Sequence, residues 1–87
     1  MRLRDLKNLG PKSEEWLPKV GIHSVKQLQA SDPFEVYARL RAAIPGANLN
    51  ALYAIIGAVE DRHWLDVKEK NKTEILLRLE QMGLAPK

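Results

Sequence analysis

Apolar positions recur along the chain at intervals of three and four, broken by Gly, Pro, Asn and Ser, and never alternate over a useful length. That period predicts helices and no strands. A short first helix is expected over Leu3–Lys7. Asn8-Leu9-Gly10 then reads as a turn, because Asn and Gly tolerate positive φ. Pro11 opens a second helix that runs to about Val20 and stops at Gly21. Pro18 lies inside it and removes a backbone donor, so a kink or an early 3₁₀ ending is expected there.

Ser24 reads as the N-cap of a short helix through Ala30. Ser31-Asp32-Pro33 is a second start signal, and Phe34, Tyr37, Leu40 and Ile44 then share one helical face. Pro45-Gly46 is expected to end that helix. Asn48 can cap the next, Leu49 to about Arg62, which is apolar nearly all round and therefore expected at the centre of the fold. Its Gly57 would let a neighbour approach closely. A last helix opens at Asp66 or Val67 and runs through Met82, with Ile75, Leu76, Leu79 and Met82 apolar. Gly83 ends it, and residues 84–87 are expected to fray. The expected fold is thus all-α, one domain of five to six helices over residues 1–83.

Composition narrows the function classes. Eighty-seven residues make one domain, and 45% apolar residues suffice for a modest core. Without cysteine there is no disulfide, zinc knuckle, iron–sulfur cluster or thiol nucleophile. The longest apolar run, Ala51–Val59, falls well short of the ~20 residues of a membrane span. No long apolar segment follows the N-terminus, so no secretory signal is expected and a cytoplasmic protein is. The net charge of +3 permits an anionic partner without demanding one. Residues 1–26 hold six basic and three acidic residues, residues 27–67 three and five, and residues 68–87 five and three. The positive excess thus gathers at the hairpin end and on the last helix.

The densest local signal is Leu6-Lys7-Asn8-Leu9-Gly10-Pro11-Lys12-Ser13, followed by a helix, Gly21-Ile22 and Val25-x-x-Leu28. It resembles the helix-hairpin-helix motif, in which an apolar residue between two permissive ones plugs the angle between helices. That resemblance implies outward backbone N–H groups suited to phosphate oxygens. It places a candidate nucleic-acid backbone site at Lys7, Asn8, Gly10, Lys12 and Ser13, with Arg2 and Arg4 extending the positive potential. Glu14 and Glu15 follow at once and oppose such a site. On this reading Asn8 and Gly10 both need positive φ, and glycine at position 8 should be neutral or mildly stabilising. Ile44-Pro45-Gly46-Ala47-Asn48-Leu49 is a weaker echo, with Arg39 and Arg41 nearby but no lysine beside it. Two such hairpins would make a pseudo-twofold pair.

Over residues 2 to 82 the order of segments resembles the TfoX C-terminal domain family. The resemblance is carried by Asn8-x-Gly10-Pro11-Lys12-Ser13, Val20-Gly21-Ile22-x-Ser24, Leu49-Asn50-x-Leu52-Tyr53-Ala54 and His63-Trp64. It implies an all-helical domain linked to the regulation of bacterial competence, the uptake of DNA in transformation. It implies no catalytic activity. Pro18 departs from the family's usual helical residue. Larger members carry an N-terminal partner domain that has no counterpart in these residues.

Catalytic and metal patterns are absent from the sequence. Asp61, His63 and Asp66 match no known ligand spacing and read as a solvated helix end. Glu14-Glu15 and Glu60-Asp61 are adjacent in sequence, so on a helix they diverge by about 100° and read as surface charge. No cofactor, metal or enzymatic activity is expected. Trp16 and Trp64 read as core-edge residues. Two partner readings remain. One is a weak, sequence-independent DNA contact through the first hairpin. The other is docking to another regulatory protein or domain, or self-association, with no direct nucleic-acid contact.

Overall fold

The computed structural model describes residues 2–44 and 46–84. Among them lie five α-helices and no strand: α1 (Pro11–Trp16), α2 (Val25–Ala30), α3 (Pro33–Ala43), α4 (Leu49–Glu60) and α5 (Trp64–Gln81). The segment expected as a first helix forms only a 3₁₀ turn, Leu3–Asp5, after which Leu6 is extended at φ −71°, ψ 149°. Seven residues ahead of a hairpin hold too few hydrogen bonds to meet the cost of nucleating an α-helix.

The punctuation acts as its chemistry dictates. α1 ends at Trp16 and continues as a 3₁₀ turn, Leu17–Val20, because Pro18 supplies no N–H to an α-helical ladder. Ser24 accepts from the Gln27 N–H at 3.1 Å, and Asp32 from the Phe34 N–H at 3.0 Å. Asn48 accepts from the Asn50 N–H at 3.1 Å. Pro45 lies outside the described residues; α3 ends at Ala43 with Ile44 extended. α4 stops at Glu60 rather than Arg62, because Asp61 turns left-handed at φ 55°. α5 begins at Trp64, earlier than expected, since the His63 side chain caps it by accepting from the Leu65 N–H at 3.2 Å. Gly83, at φ 74°, closes α5, and the Leu84 N–H reaches the Leu79 carbonyl at 2.7 Å. Leu84, first of the residues expected to fray, packs against the core and accepts from Arg41 Nη1 at 2.8 Å. Residues 85–87 lie outside the described residues.

The core has two clusters. Leu3, Leu17, Val20, Leu28, Val36 and Leu40 join Ile22 and Ile55 in the first, beneath the hairpin. Tyr37, Leu52, Tyr53 and Ile56 meet Val67, Ile75 and Leu79 of α5 in the second. α4 feeds both, which accounts for its nearly all-round apolar character and its central place. α5 is strapped to α3 by the Arg78–Asp32 ion pair, with the Arg78 guanidinium 4.3 Å above the Phe34 ring. Asp32 thereby serves as both helix cap and ion-pair partner. No described helix is long and apolar enough to cross a membrane.

Leu52 has no exposed surface. Truncation by Leu52→Ala should cost about 2–5 kcal/mol, read from chemical denaturation.

Candidate functional site

The first hairpin is held from below. Asn8 takes φ 72°, while Gly10 is extended at φ −137°, ψ −164° and caps α1. Only Asn8 therefore needs a left-handed backbone. The expectation that Gly10 does too is corrected, since any residue adopts the conformation found at Gly10, and a side chain there would meet open space. Leu9 packs on the first core cluster, as a hairpin plug should.

The Asn8 side chain does not face a ligand. Its amide N–H donates to the Arg62 carbonyl at 2.7 Å, and its amide oxygen accepts from the Trp64 N–H at 2.9 Å. Both ends of one amide are spent on the corner between α4 and α5, and the partners, one acceptor and one donor, fix which end is which. Asn8 leaves the candidate contact set and becomes its support. Gly57 is the floor under this contact, because a Cβ there would overlap the Asn8 amide nitrogen and the Arg62 carbonyl oxygen. The close neighbour expected at Gly57 is thus the hairpin itself. With Asn8 committed, glycine at position 8 cannot be harmless.

The remaining site residues divide. Lys7 and Lys12 are exposed on either side of the hairpin, with no ion-pair partner among the described residues. The Ser13 hydroxyl donates to the Gly10 carbonyl, and the Ser13 N–H reaches the same oxygen at 3.0 Å. Pro11 has no N–H, so the first turn of α1 offers fewer outward donors than the motif implied. Arg2 and Arg4 add less than expected, because Asp5 lies 3.6 Å from Arg2 and Glu14 3.8 Å from Arg4. The echo at residues 44–49 repeats one bond, with Ala47 N–H to Ile44 carbonyl at 3.1 Å matching Leu9 to Leu6 at 3.1 Å. Ala47, like Leu9, packs on the first cluster. Its cations are committed: Arg39 pairs with Glu35 at 3.1 Å and Arg41 serves Leu84.

Between the hairpin, α1, α3 and α4 lies a solvent-open cleft of about 130 Å³. Its walls are mainly apolar, with Leu9, Trp16, Leu40, Ala51, Ala54 and Ile55 prominent. Periodicity marked Ala51 and Ala54 only as part of an apolar helix, yet both are half-buried. Their small side chains leave the gap that a leucine would close. Trp16 is half-buried against the first cluster and Trp64 against the second, so both stand at core edges.

The α4–α5 corner is an ion network rather than a ligand set. Arg62 binds Glu60 at 2.8 Å and Asp66 at 2.9 Å, and Lys70 reaches Asp66 at 3.0 Å. Hydrogen bonds from Lys70 and then Arg62 hold the Asp66 carboxyl below its ordinary 3.8. Asp61 is a helix end and His63 a cap. No three metal-ligating side chains converge among the described residues.

The sequence model of the TfoX C-terminal domain matches residues 1–79. No curated protein gives a significant match. Among solved structures the fold is similar to the crystal structure, in a triclinic form, of an uncharacterized protein from Listeria monocytogenes. The two share 26% identity at a TM-score of 0.82, with each chain covered completely.

Asn8→Ala should lose about 1–3 kcal/mol from its two severed hydrogen bonds. Asn8→Gly keeps the backbone geometry but should still lose much of that stability. Gly57→Ala should cost about 1–3 kcal/mol by overpacking, whereas Gly10→Ala should cost no more than about 0.5–1 kcal/mol, the difference between glycine and alanine as the N-cap of α1. Urea titrations of the four variants rank them. The lowered Asp66 carboxyl contributes stability above its ordinary 3.8, which is lost as pH falls through the folded value. Asp66→Asn should therefore flatten the acid limb of a melting-temperature profile below about pH 4 and leave its shape at neutral pH unchanged.

Proposed function

We propose that this chain, which belongs to the TfoX C-terminal domain family, is a non-enzymatic regulatory module that contacts the DNA backbone weakly and without sequence preference. The setting is that implied by the family resemblance, competence and DNA transformation. The observation that carries the reading is the pair Lys7 and Lys12, both exposed and without an ion-pair partner among the described residues. They flank a hairpin whose position is set by the Asn8 amide bonds. Lysines act on phosphate as point charges and need only correct placement, so the shortage of outward N–H donors does not remove the site. It does shrink it, to about two phosphates, one for each lysine, rather than a longer tract.

A second reading has one observation in its favour. The apolar cleft beside the hairpin could receive a side chain of a partner protein, with the lysines facing acidic residues at its rim. Among the described residues the large exposed apolar side chains are few and scattered on or beside α5 (Leu65, Leu77 and Met82), and they offer that docking no broad apolar face.

Affinity for a duplex should be no tighter than about 10⁻⁴–10⁻⁶ M, with a log–log salt slope near −2, at about −0.9 per neutralised phosphate. Lys12→Glu should weaken binding to all sequences alike. Lys72→Glu, on the exposed side of α5, makes the same change in net charge away from the hairpin and should weaken it less. Fluorescence anisotropy at two salt concentrations measures both. Equal effects of the two reversals, or no binding at low salt, would move the protein-docking reading to first place.

A further inference from the structure

We infer that the cleft beside the hairpin is a pocket for one unstacked base, so that the domain prefers single-stranded to duplex DNA. This inference rests on the phosphate reading of Lys7 and Lys12 and names the form of nucleic acid that the same site takes. Three observations converge on it. The cleft measures about 130 Å³ and is open to solvent, a little less than the roughly 150 Å³ of an enclosed cavity that takes a benzene ring, so a base enters it by one edge and stays partly outside. Its wall includes Trp16, an aromatic side chain only partly covered by the fold. Its lining includes Asn8, Leu9, Gly10 and Ser13, which lie between and beside Lys7 and Lys12 in the sequence.

The lysines adjacent in sequence to the lining residues select the occupant. A strand whose phosphates sit on Lys7 and Lys12 carries its bases on the neighbouring sugars, within reach of the cleft. In a duplex those bases are paired and stacked, and entry would require unpairing. In a flexible single strand one base enters without that cost and exchanges water for apolar and aromatic contact. The half-open cleft leaves the polar base edges wet, so the pocket reads a ring and not a sequence. Ser13 is the exception among polar lining groups in carrying a hydroxyl, and that hydroxyl is already given to the Gly10 carbonyl. With its hydrogen committed, that hydroxyl offers a base one acceptor only, too little to read sequence.

The test compares a fluorescein-labelled twelve-residue oligothymidine with a twelve-base-pair duplex, on the whole chain at low salt. Trp64→Phe serves as the background, leaving Trp16 as the single tryptophan. The Trp64 backbone N–H that binds Asn8 survives that change. The oligothymidine should bind about fivefold tighter or more, the lower end of base–aromatic stacking, and should quench Trp16 fluorescence where the duplex does not. Ala54→Leu, which fills the cleft, should bring oligothymidine affinity down to that of the duplex. Lys12→Glu should weaken both. Equal binding of the two forms without Trp16 quenching overturns the base pocket while the phosphate reading stands. Absence of binding to either form at low salt overturns both. Should Ala54→Leu fail to fold, quenching in the Trp64→Phe background decides alone.

Discussion

A single side-chain amide joins the two ends of the fold. Asn8 binds the Arg62 carbonyl 54 residues along the chain and the Trp64 N–H 56 residues along it. It does so from a left-handed backbone position, at φ 72°, which aims the side chain down into the α4–α5 corner. Three independent requirements must be met at once. Position 8 must tolerate positive φ, position 57 must lack a Cβ, and Asp61 must turn left-handed so that the Arg62 carbonyl is presented. A part-buried amide with both ends satisfied is worth keeping, because an unpaired carbonyl or N–H in its place would lose its water without compensation. The hairpin, the corner and the start of α5 are therefore one unit.

Everything else hangs from α4. Ile55 completes the cluster under the hairpin, while Leu52, Tyr53 and Ile56 complete the cluster under α5. The remaining side of α4 carries Ala51 and Ala54, and there the helix is too slender to reach α1 and the hairpin fully. The cleft follows from that choice of small residues. Tyr53 is almost wholly buried, and burial pushes its hydroxyl pKa up; the hydroxyl has no hydrogen-bond partner among the described residues.

Charge is distributed with the same division of labour. Arg2, Arg4, Arg39, Arg62 and Arg78 all sit in ion pairs that fasten turns, helix ends and the α3–α5 contact. Lys7 and Lys12, like Lys19, Lys26, Lys68 and Lys72, have no such partner among the described residues. An arginine fork suits fixed two-point contacts, while a lysine left free is a mobile point charge. The functional proposals place nucleic acid where the free charges meet the cleft.

The helical class, the caps at Ser24, Asp32 and Asn48, the effect of Pro18 and the central place of α4 were legible in the amino-acid sequence. Each depends on the chemistry of one residue and its near neighbours: a hydroxyl or carboxylate beside free N–H groups, a ring without a donor, an apolar run without a polar face. The family pattern was legible too, because it is an order of short segments. Local pattern could not reveal that Asn8 faces inward, that Gly57 is its seat, that Gly10 is merely extended, or that Arg2 and Arg4 are paired. Those facts are set by which residues meet after the chain has crossed itself, some fifty positions apart in the case of Asn8. Tertiary structure likewise decided that two alanines on an apolar helix would line an open cleft, since a small side chain marks a buried seam or a gap according to what packs opposite it.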